Sequence, residues 1–386
     1  MKCNIYYIVL LLLLSVLPSK AQEQQIDTIP NDYQSVVVNE DSTVTFCYCG
    51  VAKKVHVEGD FFYKGEDSTR YDDLRILKVK MKRDSDGCFH ATTKPLQSEL
   101  YTYSFKINGK RIDDPLNNDT SWQMHEKWNI VTVGGNSRTA LYQKPAQQGT
   151  VLPLSWFSSV ENVNRNVNVY LPAGYNDTLR YPVVYLLHGI SGYEGSWLER
   201  GRAVQILENL VAEGKCLPFI LVMPDVNVKM KKGGPIHRSL FYNLMNYSRL
   251  RHDHNIERSL VDLTAFIDST FSVSDQHYIA GLSDGARIAA NASNLMPGYF
   301  KAIGFFSPVV KKEQLPATTF AENGYPIPTY YVYSGVTDVF YNNAKKFNKH
   351  LEKAQVPHTN TETIGGHTWR NWRICLSDFL IKISDF

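Results

Sequence analysis

The sequence predicts two domains of different class, an all-β sandwich followed by an α/β domain built on a largely parallel sheet. Three observations predict this. A length of 386 residues exceeds one ordinary domain and suits two. Residues 27–140 carry short alternating runs rich in β-branched and aromatic residues, with helical periodicity nearly absent. From Val160 onward, apolar runs alternate with helical segments, the pattern of strands buried on both faces.

Taken in order, Lys2, the apolar run Ile5–Leu17 and Ser19-Lys20-Ala21 form the three parts of a secretory signal peptide, with cleavage expected after Ala21. The run is short for a membrane span, and Cys3 precedes it, which argues against a lipid-anchored cysteine. The expectation is a secreted or periplasmic protein with no membrane span after cleavage. In residues 27–140, the runs Ser42–Phe46, Lys54–Glu58 and Tyr101–Lys106 read as strands, and Asn108-Gly109 and Asp86-Gly87 as turns. Residues 141–153 read as a linker, leaving 154–386 for the second domain. There Val167–Pro172, Tyr181–Leu187, Phe219–Met223 and Tyr330–Tyr333 read as strands, and Arg202–Glu213, Glu257–Phe271 and Asn342–Lys353 as helices.

Charge and cysteines exclude several function classes. Removing residues 1–21 takes Lys2 and Lys20 and leaves 39 basic against 38 acidic residues, which gives nucleic-acid binding no support. Without Cys3, five cysteines remain, an odd and scattered set unlike a disulfide framework, although Cys47 and Cys49 would share one strand face and one bridge has room to form. No second cysteine pair stands at ligand spacing and His252-Asp253-His254 lacks a third ligand, so neither a metal nor a cofactor is expected. Nothing in the sequence assigns an oligomeric state.

The chemistry is concentrated in Gly281-Leu282-Ser283-Asp284-Gly285. An apolar run, His277–Ala280, precedes it and a helical run, Ala286–Asn291, follows. A serine on a glycine-flanked turn between strand and helix is the nucleophile elbow of an α/β-hydrolase; glycine is needed because the turn is strained and backbone packs closely around it. In that fold an acid and then a histidine follow the serine. Asp338 follows the Tyr330–Ser334 run, whereas Asp378 and Asp385 sit in the terminal helical tail. Among His350, His358 and His367, only His367 follows a strand-like run ending in two glycines. Ser283, His367 and Asp338 are therefore expected as nucleophile, base and orienting acid. His188-Gly189-Ile190 ends another buried run, so the backbone N–H groups of Ile190 and Asp284 are the expected oxyanion donors.

Val169–Pro172, Tyr185–Gly189, Val222–Asp225, the GLSDG elbow and Gly365-Gly366-His367-Thr368-Trp369 together resemble an esterase family of α/β-hydrolases over about residues 155–386. That family includes feruloyl and acetyl-xylan esterases, mycolyltransferases, S-formylglutathione hydrolases and, more distantly, siderophore esterases. The resemblance implies acyl transfer from ester to serine and then to water. Many relatives carry Met and two glycines after the nucleophile, whereas Asp284, Gly285 and Ala286 stand here. The Asp284 carboxylate is expected to point outward at the helix N-terminus, where its charge is favourable. The first domain resembles immunoglobulin-like modules placed before esterase and glycogen-branching-type domains, on Val55–Phe61, Lys94-Pro95-Leu96, Leu100–Phe105 and Asp113–Asn117. Some such modules bind glucans and others support the catalytic domain; no aromatic platform is visible here.

The basic, aromatic segment Val226–Asn255 reads either as a lid over the site or as a surface insertion. Arg238 and Tyr242 within it, with Trp369 beside the base, are the candidate substrate contacts. The expected substrate is an acylated oligo- or polysaccharide bearing feruloyl or acetyl esters. The alternatives are a catecholate trilactone siderophore, and a glycan-binding protein whose hydrolase domain is inactive.

Overall fold

The computed structural model describes residues 33–66, 75–123, 126–227, 255–310 and 324–385. The expected signal peptide, Arg238, Tyr242 and most of the 226–255 segment lie outside the described residues.

The first part is a two-sheet β structure. One sheet joins β1 (Val36–Val38), β2 (Val44–Tyr48), β6 (Phe89–Thr92) and β5 (Lys82–Arg83) in the order β1-β2-β6-β5. The other runs β4 (Leu77–Lys80), β3 (Val55–Gly59), β7 (Glu99–Ile107), β10 (Glu126–Val133), β9 (Thr120–Gln123), with β8 (Lys110–Ile112) hairpinned onto β7. Alternation supplies the core: Val44 and Phe46 meet Val57, Tyr101, Tyr103 and Phe105 in one apolar cluster. The β7–β8 turn needs the left-handed backbone of Asn108 (φ 50°) and Gly109 (φ 92°), which explains the Asn-Gly pair. Cys49, just beyond β2, is bridged to Cys88, just before β6, and Cys47 remains a free thiol. The strand register places Cys47 opposite His90, so Cys49 finds its partner across the ladder rather than along its own strand.

A short helix α1 (Ser137–Ala140) leads into an eight-stranded sheet. Its strands are β11 (Thr150–Ser158), β12 (Val163–Leu171), β13 (Tyr181–Leu187), β14 (Ile220–Pro224), β15 (Val273–Leu282), β16 (Phe300–Phe306), β17 (Thr329–Gly335) and β18 (His358–Thr363). The order is β11-β12-β14-β13-β15-β16-β17-β18, parallel except for the pairings of β12 with β11 and β14. Residues 150–153, read as linker, are thus part of β11. Pro153 obscured that strand, and it is tolerated because β11 is an edge.

Helices cover both faces: α2 (Ser196–Glu199), α3 (Ala203–Ala212), α4 (Asn255–Thr270), α5 (Asp284–Leu295), α6 (Tyr341–Lys353) and α7 (Trp369–Ile383). The period of two in β13 decides the packing. Val183, Tyr185 and Leu187 join a cluster with α4, α5 and α6, while Val184 and Leu186 join one with α3 and α7. The second cluster also takes in Leu100, Ile130 and Tyr142, so the sandwich shares a core with the α7 side of the sheet.

The elbow is backbone packed on backbone. A Cβ at Gly281 would lie 2.2 Å from the carbonyl of Gly285, and one at Gly285 would lie 2.5 Å from the His188 carbonyl oxygen. No side chain can yield at Gly281, so Gly281→Ala should destabilise the protein by at least about 1–3 kcal/mol. A urea unfolding midpoint unchanged from wild type would contradict this packing.

Candidate active site

Five segments converge at the carboxyl ends of the parallel strands: His188–Ile190 after β13, Ser283 after β15, Ser307 after β16, Asp338 after β17 and His367 after β18. Ser283 has φ 55° and ψ −116°, a left-handed conformation that a non-glycine residue adopts at a cost of about 1–3 kcal/mol. Its N–H donates to the Phe306 carbonyl at 2.8 Å, which fixes the turn to the neighbouring strand.

The three residues expected from the sequence lie in one hydrogen-bonded chain. Ser283 Oγ is 3.0 Å from His367 Nε2, and His367 Nδ1 is 3.1 Å from both carboxylate oxygens of Asp338. The Asp338 side chain is fully buried, and the Phe340 N–H donates to its Oδ1 at 2.7 Å. Burial pushes its carboxyl up, but hydrogen bonds from His367, Ser307 and Phe340 N–H outweigh that and hold it below the usual carboxylate range. The imidazole stands edge-on between Phe340 and Trp372, each ring centroid 5.0 Å away. This arrangement lets the serine oxygen lose its proton to His367 Nε2 while a buried anion stabilises the resulting imidazolium.

Two supporting residues escaped the sequence reading. Trp372 Nε1 donates to Ser307 Oγ at 3.0 Å, which leaves the Ser307 hydroxyl proton for Asp338. The side chain of Asn371 donates to the Gly366 carbonyl at 3.2 Å and accepts from Thr363 Oγ1, bracing the loop that presents His367. Ser307 had one legible cue, its position directly after an apolar strand.

Gly189 packs against the elbow: a Cβ there would lie 3.2 Å from Ser283 Cβ. Of the expected oxyanion donors, Ile190 follows Gly189 in the chain and Asp284 follows the nucleophile directly. The nearby His188 is tied up on both ring nitrogens, Nδ1 with the Gly189 carbonyl at 2.7 Å and Nε2 with the Val226 N–H at 3.0 Å. It holds the β13 loop.

Asp284 departs from expectation. Its side chain is buried instead of facing outward, and Oδ1 accepts from Arg287 Nε at 2.9 Å. Arg287 sits three residues along the helix and draws the carboxylate to itself, and its Nη1 also donates to Glu257 Oε1 at 2.7 Å. Burial raises the Glu257 carboxyl, but the Arg287 charge and the Asn291 hydrogen bond bring it net below the ordinary range. A depressed folded value stabilises above the unfolded pKa of about 4.3, and that stability fades as pH falls through the folded value. Glu257→Gln should cost about 3 kcal/mol near neutral pH by leaving Arg287 half-paired. It should also weaken the decline in stability below about pH 4. Equal urea midpoints for variant and wild type near pH 7 would refute this pairing.

Trp369 is half-buried between Trp197 and Trp372, with ring centroids 5.2 and 5.3 Å away. It belongs as much to the core as to the site wall. Among the described residues, the sulfurs of Cys47, Cys49 and Cys88 lie within 4.8 Å of one another, but two of them are bonded together and offer no free ligand while the bridge holds.

A serine, histidine and aspartate on this strand order define an α/β-hydrolase. Residues 158–324 match the family model described as "Putative esterase", a span that includes the elbow and ends before Asp338. The segment that carries the elbow is thus similar to a family of esterases. Among curated proteins, the chain is 31% identical over 149 residues to an endo-1,4-beta-xylanase/feruloyl esterase of Xylanibacter ruminicola, covering 37% of this chain and 20% of that protein. It is 30% identical over 87 residues to endo-1,4-beta-xylanase Y of Acetivibrio thermocellus, covering 22% and 8%. The chain therefore spans a fifth or less of these curated relatives. Among solved structures, a ferulic acid esterase of Anaeromyces mucronatus in complex with ferulic acid is 22% identical, with TM-score 0.51 over 62% of this chain and 92% of that one. The enterobactin esterase of Shigella flexneri, solved with 2,3-dihydroxy-N-benzoyl-serine, is 15% identical, with TM-score 0.58 over 88% and 92%. At these identities the likeness establishes a shared fold. No helix among the described residues is long and apolar enough to cross a membrane.

Proposed function

We propose that the protein is an exported serine carboxylesterase that removes feruloyl or acetyl groups from plant-type polysaccharide. The observation that carries the chemistry is the unbroken chain from Ser283 Oγ through His367 to buried Asp338. Ser283 Oγ attacks the ester carbonyl carbon as its proton passes to His367 Nε2. The oxyanion of the tetrahedral intermediate is held by the N–H groups of Ile190 and Asp284, each worth about 3 kcal/mol in such a site. His367 returns the proton to the leaving alcohol oxygen, and water then repeats the sequence on the acyl-enzyme.

The substrate reading is supported by the xylanase/feruloyl esterase name of the 31% identical relative. Export rests on the sequence pattern of residues 1–21. A second reading, hydrolysis of a catecholate trilactone, draws on the likeness to the enterobactin esterase, which extends across the sandwich as well.

The test is a substrate panel given to purified 22–386: methyl ferulate, acetylated xylan and a catecholate trilactone, with Ser283→Ala in parallel. Turnover of the ferulate or the acetylated glycan supports the first reading. Turnover of the trilactone alone replaces it with the second. No turnover and no labelling by a fluorophosphonate would mark an inactive hydrolase domain and leave glycan binding as the function.

A further inference from the structure

The sandwich grips the active site from behind. Helix α7 begins two residues after His367, and its first turn faces two ways. Asn371 and Trp372 hold the His367 loop and ring, as described above. Arg370 and Arg373 instead reach into the first domain. Arg370 Nη2 donates to the Asp60 carbonyl at 2.5 Å, and its guanidinium lies 4.9 Å from the centre of the Tyr101 ring. Arg373 Nη2 donates to Glu99 Oε1 at 2.9 Å, and its Nη1 to the Arg200 carbonyl at 2.6 Å. The Arg200 guanidinium in turn lies 3.7 Å from the Asp60 carboxylate.

The five charged residues, Asp60, Glu99, Arg200, Arg370 and Arg373, are all buried, Glu99 completely, and they lie beside Leu100 and Tyr142, which belong to the apolar cluster shared with α7. Glu199, next to Arg200, accepts from the Trp122 N–H at 2.9 Å, so the sandwich also touches the segment that follows the β13 loop. Charged groups this deeply buried act as fixed struts, since breaking one pair leaves a charge without compensation.

We propose that Asp60 and Glu99 are positioning residues for the catalytic base, setting the tilt of α7 through Arg370 and Arg373 and hence the His367–Ser283 distance. The first domain is then part of the catalytic apparatus. This rests on the esterase reading. Misplacing a reacting group by about 1 Å typically costs about 100-fold in rate, so a partial loosening should be visible in kcat.

The experiment compares full-length Arg370→Met, Arg370→Lys, Glu99→Gln and wild type on one ester substrate, with fluorophosphonate labelling of Ser283 and amide exchange across residues 364–372 measured on the same samples. Arg370→Met and Glu99→Gln should lower kcat and the labelling rate about tenfold with KM within about twofold, and raise exchange in that segment. Arg370→Lys keeps a charge and a donor and should restore most of kcat. Glu99→Gln is isosteric and guards against a misfolded Arg370→Met. Folded variants with wild-type kcat, labelling and exchange would overturn the proposal, as would a lowered melting temperature with kcat unchanged. Raised exchange in a protein whose wild type hydrolyses and labels nothing would sink the esterase reading and leave the mechanical link standing.

Discussion

Ser283→Ala is expected to reduce ester hydrolysis by at least about 10⁴-fold while the protein stays folded. The loss is large because, among the described residues, His367 Nε2 is aimed at one oxygen, Ser283 Oγ, 3.0 Å away, and the proton it would accept goes with that oxygen. Stability should hold within about 0.5 kcal/mol. Alanine meets the same left-handed backbone that serine already tolerates, and the N–H bond to Phe306 remains. Turnover of the variant within a hundredfold of wild type, measured on the same ester, would remove Ser283 from its role.

Asp338→Asn should be nearly as costly, about 10⁴-fold in kcat, although it changes a single atom. The carboxylate accepts from His367 Nδ1, from the Phe340 N–H and from Ser307, so only an acceptor suits that position. An amide there presents an N–H₂ to one of these donors. It can be relieved by placing the imidazole proton on Nε2, where it blocks attack by Ser283, and the stabilising charge beneath the imidazolium disappears as well. KM should change little, because the fully buried Asp338 side chain does not line the surface a substrate would meet. A tenfold or smaller fall in kcat would mean that Asp338 merely caps its loop.

The sequence was most legible where the physics is local. The elbow shows because strand, glycines and helix must adjoin, and the histidine because two glycines follow β18 just before it. The unbroken apolar run of β13 announces a sheet covered on both faces. What stayed hidden depends on residues far apart in the chain: Arg373 meets Glu99 across 274 positions and Arg370 meets Asp60 across 310. No local period marks such pairs, and an arginine on a helix reads by default as solvated. The Cys49–Cys88 bridge was obscured in the same way, since its pairing follows from the register of β2 on β6. The Asp284 side chain was misjudged for a different reason. A carboxylate at a helix N-terminus finds favourable charge with or without solvent, and the competing Arg287 decided the matter.

The most direct measurement is the mass-spectrometric location of a fluorophosphonate adduct on the purified protein, with ester hydrolysis followed in the same sample. One adduct per chain is expected, on the peptide containing Ser283, forming at the rate at which hydrolysis is lost. Hydrolysis that persists after complete labelling of Ser283, or that disappears with an adduct on another residue, would contradict it.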